Sequence, residues 1–119
     1  MRDHSELTLR KQSDFSRVYK QGKSKGSRFA VILYRRNGLK FTRTAFVASK
    51  KVGNSVQRNR ARRLMRAAYR AVEPNVKSGY DIIFVARAPI IGCKEPEVEK
   101  QLKKTLENAG ILTGSSNEK

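Results

Sequence analysis

The densest group of chemically capable side chains lies between residues 58 and 66, whose sequence RNRARRLMR holds five arginines and no acid. The planar guanidinium group of arginine forms paired hydrogen bonds with phosphate and stacks on nucleobases. Like charges repel when they are four residues apart on a helix, and three pairs have that spacing: Arg58–Arg62, Arg62–Arg66 and Arg66–Arg70. A solvated face explains most charge runs, but such a series of small penalties favours a polyanionic partner.

The charge of the whole chain points the same way. The 119 residues contain 27 Lys and Arg against 10 Asp and Glu, which gives a net charge of +17. No acid occurs between Asp14 and Glu73, a stretch that carries seventeen Lys and Arg. A surface of one sign over so much of the chain is typical of nucleic-acid-binding proteins.

Aromatic residues beside basic ones form a second candidate group. Phe15 and Tyr19 are four residues apart with Arg17 between them, and Tyr34 directly precedes two arginines. Aromatic residues at this spacing are often core residues, but beside basic groups they also stack on the bases of single-stranded nucleic acids. The residues alone leave both interpretations of Phe15 and Tyr19 open.

Side chains that could break bonds are few. His4 lies in a polar N-terminal stretch and Cys93 is the single cysteine, and these two residues cannot provide a zinc site. Three acids, Glu95, Glu97 and Glu99, fall in the first turns of a predicted helix, where they complement the helix dipole. We therefore predict a binding protein with no catalytic residue, metal ligand or cofactor of its own.

The rest of the sequence predicts the elements that position these residues, from apolar spacing and turn signals. The order is α-β-β-α-β-α with an additional short edge strand, hence α-β-β-β-α-β-α, in one α+β domain spanning 1–119. The predicted elements are a helix at 14–21 capped by Ser13-Asp14, an edge strand at 23–27, strands at 28–36, 41–51 and 80–89, and helices at 56–73 and 95–110. Residues 1–7 and 113–119 are expected to be flexible.

Local signals also predict how these elements connect and pack. Asn37-Gly38 is a strong β-hairpin signal and predicts that strands 28–36 and 41–51 pair with each other. The continuous apolar strand 80–89 is expected at the centre of the sheet. The loop VGNS should end in a cap for the helix at 56–73. That helix should bury one stripe, whose members are Ala61, Leu64, Met65, Ala68 and Val72. That stripe leaves the arginines pointing outward together.

Targeting signals are missing from the sequence. No apolar run approaches the roughly 20 residues that span a bilayer, and the N-terminus lacks the apolar stretch of a signal peptide. We therefore expect a cytoplasmic protein without membrane contact.

Three blocks of the chain together resemble one family. The stretch SKKVGNSVQRNRARRLMR resembles the signature of the bacterial ribonuclease P protein subunit, a strand ending in S-K-K-x-G, a short loop, and R-N-R-x-[KR]-R-[LI]-x-R on a helix. The likeness extends to LRKQSDFSRVYKQGKS upstream and GYDIIFVAR downstream, in the family's order and spacing. It covers about residues 7–112.

The resemblance implies a small α+β fold like the second domain of ribosomal protein S5, with a four-stranded sheet and a left-handed β-α-β crossover. It implies the protein subunit of ribonuclease P, a ribonucleoprotein that removes the 5′ leader of precursor tRNA. The RNA subunit, with bound Mg²⁺, would perform the hydrolysis. The protein would bind ribonuclease P RNA, one protein per RNA subunit, hold the single-stranded leader, and thereby increase substrate affinity and assist the RNA-bound metal.

The same resemblance assigns residues to two surfaces. Those that would dock on the catalytic RNA are Ser49, Lys50, Lys51, Asn54, Arg58, Asn59, Arg60, Arg62, Arg63 and Arg66. Those that would form the leader-binding cleft are Phe15 and Tyr19 with the basic neighbours Arg10, Lys11 and Arg17, and Tyr34 as the third cleft position, with Leu33 as its alternative. Two positions depart from the family's usual pattern, because Ala61 replaces a larger Ile or Val and Ala67 stands where many members carry Glu.

Two other classes of protein compete with this interpretation. Size and charge alone would also suit a structural RNA-binding protein of the ribosome. A DNA regulator is disfavoured, because no second helix lies a short turn before the basic helix.

Overall fold

The computed structural model describes residues 8–113, which form three helices and four strands. These elements are α1 (Gln12–Gln21), β1 (Lys23–Gly26), β2 (Ala30–Arg36), β3 (Arg43–Val47), α2 (Ser55–Val72), β4 (Tyr80–Ala86) and α3 (Glu95–Asn108). Single 3₁₀ turns, Glu73–Asn75 and Ala88–Gly92, flank β4. The predicted α+β order is confirmed. His4 and the predicted flexible ends lie outside the described residues, with the exception of Thr113. The backbone N–H of Thr113 donates to Asn75 O at 2.6 Å.

The sheet has the strand order β1-β2-β4-β3. β2 is antiparallel to both β1 and β4, whereas β3 runs parallel to β4. The predicted pairing of β2 with β3 across Asn37-Gly38 is therefore wrong, because β4 lies between these strands. The Asn37 side chain instead donates to Phe41 O at 3.2 Å and to Asp81 Oδ1 at 2.9 Å, which anchors the loop to the start of β4.

The two faces of the sheet pack against different helices. Alternate residues such as Ile32, Ile82 and Phe84 are fully buried in the larger core beneath α2 and α3. The opposite face carries a smaller cluster, in which Val18 of α1 packs with Ile83. Because both faces of β4 are covered, its residues form a continuous apolar run and its predicted central position is confirmed.

α2 buries the predicted stripe with one change. Ala61, Met65, Ala68 and Val72 are buried, but Leu64 is only half-buried. Tyr69, which the periodic pattern did not assign to the core, is buried with its ring centroid 5.2 Å from that of Phe84. The stripe thus packs α2 into the larger core, against both α3 and the sheet.

The start of α1 differs from the prediction. The helix begins at Gln12 after Lys11, which provides no side-chain cap, so the predicted Ser13-Asp14 cap is wrong. Asp14 is instead buried and bonded to two arginines. By contrast, α3 begins at the predicted residue and is followed by Gly110 with a φ of +78°, a left-handed conformation that suits glycine at a helix end.

Candidate nucleic-acid interface

The start of α2 is fixed by a reciprocal cap. The Asn54 side chain accepts a hydrogen bond from Gln57 N at 2.9 Å, and the Gln57 side chain accepts one from Asn54 N at the same distance. Gly53 has a φ of +149°, and a Cβ there would overlap the Gln57 amide. The sequence predicted a cap at the end of VGNS, and the cap lies one residue earlier, at Asn54, because Ser55 is already the first residue of α2. Asn54 therefore has a structural task at the start of the helix that carries the arginines.

The arginines of α2 keep their charge uncompensated. The arginine face, as we call it, consists of Arg58, Asn59, Arg60, Arg62, Arg63 and Arg66. Arg58 donates to Gly53 O and Ser55 Oγ, both at 3.4 Å, and Arg62 donates to Asn59 Oδ1, whereas Arg60, Arg63 and Arg66 are exposed. Within residues 8–113 none of these arginines forms an ion pair with an acid. The positive charge of this face is therefore not neutralised by any acid within residues 8–113.

A basic turn leads into this helix. Ser49, Lys50 and Lys51 are exposed, and the Ser49 hydroxyl accepts a weak hydrogen bond from Lys51 N at 3.3 Å. Val52 N also donates to Ser49 O at 3.0 Å, which closes the turn. The two lysines consequently project from an ordered segment directly beside the arginine face.

A groove joins the arginine face to the first helix. Phe15 and Val47 line it on one side and Arg66 lines it on the other, around a volume of about 260 Å³; we call it the Phe15 groove. The guanidinium carbon of Arg66 lies 5.4 Å from the centroid of the Phe46 ring, which itself stacks on Phe84 at 5.0 Å. This cation–π contact holds Arg66 at the mouth of the groove.

The other residues predicted for the cleft lie on α1 or just before it, and they differ in exposure. Phe15 is half-buried against the smaller core, while Tyr19, one helical turn later, is 52% exposed. Arg10 and Lys11 are exposed just before the helix, and Arg17 donates to Asp14 Oδ1 at 3.2 Å. Phe15 therefore packs on the smaller core and also lines the groove, and its stacking on a base stays a prediction.

The structure places Leu33, and not Tyr34, on the same side of the sheet as Phe15. Leu33 packs with the smaller cluster under α1. Tyr34 is 7% exposed in the larger core, with its ring centroid 6.5 Å from that of Tyr80. The prediction that Tyr34 shares the cleft is therefore wrong, because successive strand residues point to opposite faces.

A cluster that sequence reasoning missed sets the position of α1. Arg43 of β3 donates through Nε and Nη2 to the two carboxylate oxygens of Asp81, at 2.9 and 2.7 Å. Its Nη1 also donates to Asp14 Oδ2 at 3.3 Å. The hydrogen bond from Arg43 to Asp81 is the main cause that raises the pKa of Arg43, against an opposing effect of burial. The cluster ties α1, β3 and β4 together beside Phe15.

Only part of this cluster had a signal in the sequence. Asp81 is an acid within the otherwise apolar strand YDIIFVA, and a buried charge requires a partner. Its partners are 38 and 44 residues away, at Arg43 and Asn37, and no local pattern identifies them. An isolated acid in a central strand was thus the one available clue.

Other kinds of site find no support in residues 8–113. No group of three or more His, Cys, Asp and Glu side chains lies close enough there to hold a metal ion. None of the described helices combines the length and apolarity needed to cross a membrane. Burial raises the pKa of the Cys93 thiol, which keeps it neutral.

Comparison with known proteins identifies relatives along nearly the whole chain. A family model described as Ribonuclease P matches residues 4–110. The ribonuclease P protein component of Caldanaerobacter subterraneus subsp. tengcongensis is 43% identical over 101 residues, 82% of this chain and 87% of the relative. That of Alkaliphilus oremlandii is 40% identical over 107 residues, 90% of this chain and 94% of the relative.

Solved structures agree with these sequence matches. The structure of the Staphylococcus aureus RNase P protein superposes with a TM-score of 0.80 at 29% identity and covers 90% of this chain and 98% of that one. The RNase P protein from Thermotoga maritima superposes with a TM-score of 0.77 at 28% identity and covers 85% and 96%.

Removing Arg43 tests whether the buried cluster holds the fold together. Arg43→Ala leaves the Asp81 carboxylate, whose side chain is 3% exposed, without its cation, and we expect a loss of about 3 kcal/mol in the free energy of unfolding. Urea denaturation at neutral pH measures this loss. Arg17→Ala serves as the control, because Arg17 is 46% exposed and should cost at most about 1 kcal/mol. Equal losses in the two variants would contradict the role given to Arg43.

Proposed function

This chain belongs to the ribonuclease P protein family, and from that premise we propose that it docks on the RNA subunit through the arginine face and holds the precursor tRNA leader in the Phe15 groove. The family supplies the protein component of a ribonucleoprotein endoribonuclease of tRNA processing, so an RNA partner follows from membership. The observation that carries the docking proposal is the row of α2 arginines that lack an acidic partner among the described residues.

Docking through the arginine face follows from electrostatics and rigidity. The face is presented by a single 18-residue helix whose start is capped and whose buried stripe is packed on the sheet. Because the helix is ordered before binding, little conformational entropy is lost when its guanidinium groups meet phosphates. A folded RNA offers many phosphates, and release of their counterions drives association.

Leader binding in the Phe15 groove is supported by groups that line it, Phe15 and Arg66, and by Tyr19 on the next turn of α1. The half-buried ring of Phe15 and the exposed ring of Tyr19 offer surfaces on which unpaired bases can stack. Arg66, at the opposite wall, offers a guanidinium group to the leader's phosphates. Since Arg66 also belongs to the arginine face, a leader in this groove would lie directly beside the docked RNA subunit.

In this proposal the RNA subunit, and not the protein, performs the hydrolysis. Mg²⁺ would be held by that RNA, because residues 8–113 offer no group of three or more acidic, histidine or cysteine side chains that could hold a metal ion. The protein's contribution is to hold the leader in place, which raises substrate affinity and steadies the reacting phosphate beside the metal. We propose one protein per RNA subunit, acting in the cytoplasm.

A comparison of precursor tRNA with mature tRNA tests whether the protein binds the leader. Precursor tRNA with a single-stranded leader should bind the holoenzyme more tightly than mature tRNA, and Tyr19→Ala should weaken that gain because stacking contributes about 1–3 kcal/mol per base. Equilibrium titration of labelled tRNA measures both effects. Tyr19 is 52% exposed, so the variant should keep its thermal stability, whereas Phe15→Ala should lose both affinity and stability.

Two outcomes would contradict the leader proposal. An unchanged leader-dependent gain in both Tyr19→Ala and Phe15→Ala would remove the leader from this groove. A protein that gives no leader-dependent gain at all, and that co-sediments with ribosomal subunits, would instead fit a structural protein of the ribosome.

The arginine face makes a separate prediction about salt. Arg60→Ala removes an exposed guanidinium group and should weaken binding to ribonuclease P RNA. The slope of log affinity against log salt concentration should fall by about 0.7–0.9 for each phosphate that the variant no longer neutralises. Lys103→Ala on α3 removes the same charge from another exposed position and serves as the control. If both variants show the same slope, Arg60 does not touch the RNA.

A further inference from the structure

A second basic and aromatic groove lies away from both surfaces described above. It is lined by Lys23 of β1, by Tyr34, Arg35 and Arg36 at the end of β2, and by Tyr80 at the start of β4. The last residues of α1 and the end of α3 close its sides, around a volume of about 410 Å³. We call it the Tyr80 groove.

Three cations of this groove are left without acidic partners. Arg35 stands opposite Asp81 in the pairing of β2 with β4, where an ion pair across the strands would be expected. Asp81 instead bonds both of its oxygens to Arg43 and one of them also to Asn37. Among residues 8–113, neither Arg35 nor Lys23 nor Arg36 forms an ion pair, and no acid lines the groove.

The aromatic part of the groove orients one of these cations. The guanidinium carbon of Arg36 lies 5.6 Å from the centroid of the Tyr80 ring, and Tyr34 packs behind that ring. A guanidinium plane held in this way has its outer face available, and unpaired RNA bases stack on such planes. Lys23 pairs with Tyr34 and lies on the same side of the sheet as Arg36, so it is available for a phosphate beside the base. Arg35 points to the α1 side and adds its positive charge at the end of the sheet.

The Tyr80 groove lies too far from the start of the arginine face for one nucleotide to contact both. Arg36 pairs with Tyr80 at one end of β2 and β4, while Ala30 pairs with Ala86 at the other end. The arginine-rich start of α2 follows the carboxyl end of β3, whose Val47 is level with Val85. Five residue steps along β4, from Tyr80 to Val85, separate the two positions by roughly 17 Å.

We propose that the Tyr80 groove is a second RNA-binding site, which holds one unpaired nucleotide with its flanking phosphates. The proposal rests on the family's RNA partner but goes beyond the docking face and the leader groove. The ligand is a single-stranded segment, because a base must leave its helix before it can stack on Arg36. The segment belongs either to the RNA subunit or to precursor tRNA, and the two present the same chemistry.

Removing the three cations tests this proposal in the assembled holoenzyme. The variant Lys23→Ala/Arg35→Ala/Arg36→Ala is compared with Lys100→Ala/Lys103→Ala/Lys104→Ala, which removes three exposed charges from α3. We expect the first variant to bind either ribonuclease P RNA or precursor tRNA at least about fivefold more weakly than the second. The slope of log affinity against log salt concentration should fall by about 0.7 for each phosphate that is no longer neutralised. One arm titrates the protein onto ribonuclease P RNA, and the other titrates precursor tRNA onto the holoenzyme.

The outcomes separate this proposal from the proposed function. A weaker affinity in the first arm assigns the nucleotide to the RNA subunit, and a weaker affinity in the second arm alone assigns it to precursor tRNA. Equal affinities of the two triple variants in both arms overturn the Tyr80 groove, whatever Arg60→Ala does. Failure of Arg60→Ala to alter RNA binding, with weaker binding by the groove variant, overturns docking through the arginine face only.

A charge-conserving substitution at Arg36 tests base stacking separately from the loss of charge. Arg36→Lys retains the charge but removes the planar group, so it should weaken RNA binding while leaving the salt slope unchanged. Because Arg36 is exposed, the variant should fold as the unmodified protein does, and a thermal melt checks this. Affinity equal to that of the unmodified protein would overturn the stacking of a base on Arg36.

Discussion

Arg43 lies between Asp14 of α1 and Asp81 of β4, and this buried cluster fixes the first helix against the sheet beside the Phe15 groove. Every ion pair among the described residues includes one of these two acids. Arg43 occupies both Asp81 oxygens and also reaches Asp14, so the two buried acids already have a cation as partner. The other acids of the described residues form no ion pair with the arginines of α2. The contacts of Arg43 anchor α1 over β3 and β4. One buried cluster therefore holds the first helix in place on the sheet.

The parallel pairing of β3 with β4 determines where the arginine face lies on the molecule. Parallel neighbours require a long connection, and here α2 provides it by passing across the sheet. The buried stripe of α2 packs on that sheet, so its polar side faces outward along the whole crossover. Phe46 of β3 meets Arg66 of α2 across this connection, which brings the docking face to the edge of the Phe15 groove. The two proposed RNA contacts are thus neighbours because of the strand order.

Features that depend on nearby residues could be predicted from the sequence, and features that depend on distant ones could not. The spacing of Ala61, Met65 and Ala68 predicted the buried side of α2, and the apolar run of β4 predicted its central place. The Asn37-Gly38 signal failed because hairpin rules consider adjacent strands only, whereas Asp81, 44 residues away, binds Asn37. Tyr34 was assigned to the wrong face because a shift of one residue along a strand exchanges its two faces.

The central claim is that the arginine face contacts the RNA subunit while the Phe15 groove holds the leader, and site-directed crosslinking tests it most directly. Cys93 is buried, so a cysteine introduced at the surface can be labelled selectively with a photoreactive group. Val56 is 74% exposed and lies one turn before Arg60, and Gln12 is exposed one turn before Phe15. In the complex with precursor tRNA, the probe at Val56→Cys should crosslink to the RNA subunit and the probe at Gln12→Cys to the leader. Crosslinking of both probes to the same RNA molecule, or of neither to RNA, would contradict the account.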